Sequence, residues 1–64
     1  MIGVIMPVVE IKWWKGRDDA IKAKTIELVT KALCDGCGCS PEAVTIIIHD
    51  IDKAGWGIAG NPSK

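Results

Sequence analysis

The spacing of apolar residues changes character twice between Val8 and Asp50, and this bounds the fold more tightly than any single residue does. From Val8 to Trp14 the pattern alternates. Val9, Ile11 and Trp13 fall on one face, and Val8, Glu10, Lys12 and Trp14 on the other. β-branched and aromatic residues at a period of two define a strand. From about Asp19 to Leu33 the repeat lengthens. Ile21, Thr25, Leu28, Val29, Ala32 and Leu33 form one helical stripe, while Lys22, Lys24, Glu27 and Lys31 point elsewhere. Val44 to Asp50 is then a nearly unbroken β-branched run, expected to be buried on both faces as in a parallel sheet. Strand, helix, strand at this spacing is a βαβ unit, whose crossover is right-handed.

The joints agree with that order. Pro7 has no N–H to donate and belongs at a strand's start or edge. Lys15-Gly16-Arg17 makes a turn, and Asp18 or Asp19 caps the helix by accepting from the free N–H groups of its first turn. Lys31 suits the negative end of the helix dipole, and Gly36 is a natural stop. Cys37 to Pro41 is a connecting loop. Gly55-Trp56-Gly57-Ile58-Ala59-Gly60 is too glycine-rich for a long element and reads as a turn or small hairpin carrying one large aromatic. The fold class is α/β (α+β): a single βαβ unit with a short C-terminal hairpin. Residues 1–5 read as an extension or leader, and residues 6–64 as the domain.

A two-stranded parallel sheet with one helix leaves its other face bare, and Val8, Trp13 or Trp14 must sit on it. A bare apolar sheet face marks an association surface, and Trp13 and Trp14 are suited to anchor a subunit interface. Size points the same way. A chain of 64 residues rarely builds a core worth more than roughly 3–5 kcal/mol alone. Composition excludes other classes of partner. Hydrophobic residues are 48% and charged residues 25%, the formal net charge is zero, and no basic block stands out. Nucleic acid and anionic membrane are poor partners on charge grounds. The apolar run from Met1 to Val9 is too short to span a bilayer, which takes about 20 residues, and it lacks the features of a secretory signal. A cytoplasmic location is the default expectation.

Cys34, Cys37 and Cys39 are an odd number of cysteines crowded into one short stretch. That spacing does not make a disulfide framework and fits a reducing compartment better. Three thiolates so close could hold zinc or copper(I), with His49 or a neighbouring subunit completing the ligands. The bland reading is a helix end and loop whose small residues include cysteine. His49, at the end of a strand, is most simply a packing or hydrogen-bonding residue.

Met6-Pro7 opening a strand, Gly16-Arg17 after it, Val44-Thr45-Ile46-Ile47-Ile48 followed by Asp50, and Gly55-Trp56-Gly57-Ile58-Ala59-Gly60 at the close together resemble the 4-oxalocrotonate tautomerase family. The resemblance covers Met6 to Gly60. It implies a βαβ protomer, dimers with a four-stranded sheet, and hexamers built as three dimers. It also implies an active site shared between neighbouring subunits, a small 2-oxo or 2-hydroxydienoic acid as substrate, and no metal or organic cofactor. Residue by residue, Pro7 matches the catalytic amino-terminal proline and Arg17 the arginine that binds a substrate carboxylate. Trp56 stands where an aromatic residue makes the pocket apolar. Thr45 replaces a second arginine, and a threonine cannot make the bidentate charged contact that arginine makes with a carboxylate.

The residue types suit that chemistry. If the mature chain begins at Pro7, its nitrogen is a secondary amine able to take and give a proton; if it begins at Met1, the same nitrogen is an amide. A free α-amino group has a pKa of about 7.7–8.0, and an apolar pocket with a nearby cation lowers it towards neutrality. Trp56 would supply the apolar surroundings. Arg17 would supply the positive charge and stabilise the enolate. Position alone allows plainer roles: Pro7 as a strand opener, Arg17 as a turn arginine, Trp56 as a core or interface residue. The rival reading of the whole chain is a non-catalytic oligomer that binds metal through Cys34, Cys37 and Cys39.

Overall fold

Strand β1 (Val8–Trp14) and strand β2 (Thr45–Ile51) lie side by side and parallel, with Val8 opposite Thr45 and Trp14 opposite Ile51. The computed structural model describes residues 6–63; the expected extension, residues 1–5, lies outside them. The ladder continues one step past each end, where Thr45 N–H donates to the Pro7 carbonyl at 3.0 Å and Lys15 N–H to the Ile51 carbonyl at 2.9 Å. Helix α1 (Asp19–Cys37) makes the crossover between the strands. Single 3-10 turns at Pro41–Ala43 and Lys53–Gly55 flank β2. The chain closes with a hairpin of β3 (Gly57–Ile58) and β4 (Asn61–Pro62). Ala59 and Gly60 both have positive φ, 54° and 85°, as the tightest hairpin turn requires.

The helix begins where expected and ends later. Asp18 is the N-cap, its Oδ1 accepting from Ile21 N–H at 3.0 Å. Gly36 does not stop the helix, which runs on through Cys37. Gly38, at φ 76°, takes the left-handed cap and returns its N–H to the Cys34 carbonyl at 2.9 Å. A stop needs a residue that tolerates positive φ where the last carbonyls are exposed, and Gly38 meets that condition one turn beyond the predicted end.

The face that α1 lays on the sheet also differs from the predicted stripe. Lys22, Thr25, Val29, Thr30, Leu33 and Cys34 are the half-buried positions, while Ile21, Leu28 and Ala32 are exposed. Lys22 turns inward because Asp50 lies on the helix side of β2. Lys22 Nζ pairs with Asp50 Oδ2, and Trp13 Nε1 donates to Asp50 Oδ1 at 2.7 Å. Both bonds hold the Asp50 carboxyl below its ordinary range, Lys22 contributing most. The same contact raises Lys22. Trp13 therefore belongs to the helix side and is not an interface anchor on the bare face.

The other sheet face carries Val8, Glu10, Lys12 and Trp14 beside Thr45, Ile47, His49 and Ile51. Trp56 and Lys53 lie against Trp14 at one end of it, while Val8 and Ile47 stay exposed. The expectation that β2 is buried on both faces fails for the single chain, since Thr45, Ile47 and Asp50 are exposed, Ile47 at 40%. Among the described residues no side chain is fully buried. The radius of gyration is 15.0 Å, and the extents are 48 × 26 × 14 Å. A compact chain of this length would have a radius of about 10.7 Å. The protomer is a slab with two surfaces that expose apolar side chains: the outer sheet face, where Val8 and Ile47 lie among polar residues, and the flank of α1 around Ile21 and Leu28.

Candidate functional site

At the C-terminal end of the sheet, Lys12, Trp13, Trp14, Arg17 and Trp56 line an open hollow of about 200 Å³. Local structure brings each of them there. Gly16, at φ 134°, turns the chain sharply after β1. Arg17 then folds back: its Nη1 donates to the Trp14 carbonyl at 3.2 Å, and the guanidinium lies 4.7 Å from the centre of the Trp13 ring. That stacking holds a cation against an apolar wall without neutralising it. Trp56 follows the 3-10 turn after β2 and stands edge-on to Trp14, with centroids 6.1 Å apart and planes at 79°. It is held by its own backbone, since Ser63 N–H donates to the Trp56 carbonyl at 2.9 Å. Lys53 sits 4.7 Å over the Trp14 ring. The hollow is thus aromatic on its walls and cationic at its rim.

The predicted site residues divide between the two ends of the sheet. Arg17 and Trp56 share the hollow. Pro7 and Thr45 lie together at the opposite end, joined by the hydrogen bond that opens the ladder. The length of β1 separates the pairs: seven residues at about 3.3 Å each hold them roughly 23 Å apart. Within one protomer Arg17 does not reach the Pro7 nitrogen. Sequence reasoning missed Lys12 and the two adjacent tryptophans as hollow-lining residues. The alternation rule places Lys12, Trp13 and Trp14 on opposite faces, which hides that the end of a strand is open to both.

His49 does what a strand-end histidine most simply does. Its Nε2 lies 3.1 Å from Glu10 Oε1 on the bare face, and this contact, with Lys12 second, lowers the Glu10 carboxyl. His49 is therefore engaged away from the cysteines. Among the described residues no group of three or more histidine, cysteine, aspartate or glutamate side chains is arranged to hold a metal ion. Nor is any helix among them long and apolar enough to cross a membrane.

A βαβ protomer with an uncovered sheet face, a proline heading its first strand and a cationic aromatic hollow at the far end defines a small tautomerase-fold protein. The chain belongs to the tautomerase family: the family's sequence model, described as tautomerase enzyme, matches residues 7–64. It is 41% identical over 59 residues to a 2-hydroxymuconate tautomerase of Comamonas testosteroni, covering 92% of this chain and 94% of that one. With a 2-hydroxymuconate tautomerase of Pseudomonas putida it shares 37% identity over the same fractions. Among solved structures it resembles one from a study of 4-oxalocrotonate tautomerase isozymes of Methylibium petroleiphilum. The TM-score there is 0.84 at 37% identity, over 89% of this chain and 92% of that one. The protein is an isomerase of the tautomerase class, and the non-catalytic alternative is not favoured.

Proposed function

We propose that the chain interconverts keto and enol forms of a 2-oxo or 2-hydroxydienoic acid, with Pro7 as the base once it is the amino terminus. The observation that carries this reading is the pairing of Arg17 with Trp56 in one hollow, in a chain whose family match begins at Pro7. The relatives named as 2-hydroxymuconate tautomerases support a 2-hydroxydienoic acid as the substrate class.

In this mechanism the Pro7 amine removes a proton from the substrate, and the electron pair moves onto the enolate oxygen. Arg17 holds the carboxylate and draws that charge towards itself. When the proton removed is that of the enol hydroxyl, the protonated amine returns it to a carbon of the enolate and gives the keto form, so no atom or electron is gained or lost. The tryptophans keep the site apolar, which disfavours the charged amine and keeps the base ready near neutral pH.

Because some 23 Å of strand separates Pro7 from the hollow, the working site combines the Pro7 end of one protomer with the Arg17 end of another. A trimer of dimers is the assembly proposed. Thr45, beside Pro7, offers a hydroxyl where a second guanidinium would favour a dicarboxylate, so a substrate bearing one carboxylate is the better fit.

The test compares a chain beginning at Pro7 with one beginning at Met1, on a 2-hydroxydienoate and on the enol of phenylpyruvate. The Pro7 form is expected to ketonise both and the Met1 form neither. Pro7→Ala in the processed chain is expected to lose most of the rate while keeping a residue of activity from its primary amine. Equal rates from the two starts would remove Pro7 from the mechanism.

A further inference from the structure

The tautomerase chemistry makes no use of the three cysteines at the end of α1, yet two of them are brought together. Cys37 is the last residue of the helix and Cys39 the first after the left-handed Gly38. Their sulfurs lie 3.1 Å apart. Cys37 is exposed and Cys39 half-buried behind it. The Cys37 thiol donates to the Leu33 carbonyl at 3.1 Å, which leaves its sulfur free to accept from the Cys39 thiol. That bond, followed by partial burial, pushes Cys39 up to about 11.

We propose that Cys37 and Cys39 form a reversible dithiol–disulfide site that reacts with small-molecule disulfides. The sulfurs need only approach by about 1 Å to reach the covalent S–S distance of about 2.05 Å. The order of events follows from exposure. The Cys37 thiolate attacks an incoming disulfide, forms a mixed disulfide and expels one thiolate. Cys39 gives up its proton and attacks the Cys37 sulfur, expelling the second thiol. The protein loses two hydrogens as one external disulfide becomes two thiols, which balances the exchange. A bridge spanning a single intervening residue closes almost no loop in the unfolded chain, so it adds little stability. It is accordingly easy to reduce again, as a labile bridge is and a structural one is not. Cys34, one turn back, is the thiol left over.

The experiment equilibrates the full, pre-reduced chain with mixtures of glutathione and glutathione disulfide, blocks remaining thiols by alkylation and measures intact mass. The wild-type chain is expected to show one blocked thiol, no retained glutathione and an internal bridge that excess glutathione reverses. Cys34→Ser is expected to bridge equally well. Cys39→Ser is expected to accumulate glutathione on Cys37, and Cys37→Ser to form no Cys37–Cys39 bridge. Circular dichroism on each variant checks that its fold is retained. Three alkylatable thiols at every ratio would overturn the proposal. So would stable glutathione adducts without a bridge, bridges only between chains, or loss of the bridge in Cys34→Ser.

Discussion

Arg17 owes its place to three neighbours: the glycine that turns the chain before it, the Trp14 carbonyl that takes a hydrogen bond from it, and the Trp13 ring it lies over. None of these is a carboxylate, so its charge stays free for a substrate anion. Arg17→Ala in a processed chain is expected to lower kcat/KM by about 10²- to 10³-fold, the usual cost of removing one group that stabilises a developing oxyanion. The assembly and circular dichroism should be unchanged. A loss confined to a few-fold, or a change of assembly state, would make Arg17 a structural residue. Pro7, Arg17 and Trp56 were named as candidates because each sits in a short motif, and the structure brings Arg17 and Trp56 together in the hollow. Their division between opposite ends was not drawn from the pattern, although parallel strands require the head of β1 to neighbour the head of β2.

At the scale of elements, the bond between α1 and the sheet is partly electrostatic. Asp50 receives Lys22 from the helix and Trp13 from β1. Hydropathy alone turned Lys22 outward, and the sequence reading therefore rotated α1 towards Ile21 and Leu28. What it could not weigh was an inward carboxylate on β2, which repays a lysine for leaving water. The existence, order and type of β1, α1, β2 and the hairpin were legible, because period and turn residues agree along the chain.

This contact has a signed pH dependence. Asp50 is lowered from 3.8, so its contribution is present above that value and is lost as pH falls through the lower folded value. Lys22 is raised from 10.5, so its contribution is present below that value and is lost as pH rises through the higher folded one. The part of the melting temperature that this contact supplies is expected to be level between these limits and to fall outside them. In Lys22→Met the acid-side fall should be smaller, because Asp50 loses the larger of the causes that lower it. Parallel acid-side curves for the two proteins would refute the assignment.

At the scale of the whole molecule, a slab with no fully buried residue among those described must find its core elsewhere. Val8 at 58% exposure and Leu28 at 52% mark the two surfaces that need covering. The melting temperature should rise with protein concentration, as it does when folding and association are one equilibrium. Trp14→Glu, which puts a charge on the bare sheet face, should shift the particle towards smaller species in sedimentation and lower the melting temperature with it. A melting temperature independent of concentration, measured across the range where the particle dissociates, would show that the lone protomer is stable.

The distance between Pro7 and the hollow has a consequence for inheritance of damage. Under the proposed assembly no polypeptide owns a complete catalytic centre. A defective copy spoils a neighbour's chemistry as well as its own, and two chains crippled at opposite ends of the strand can lend each other the half that each one lacks.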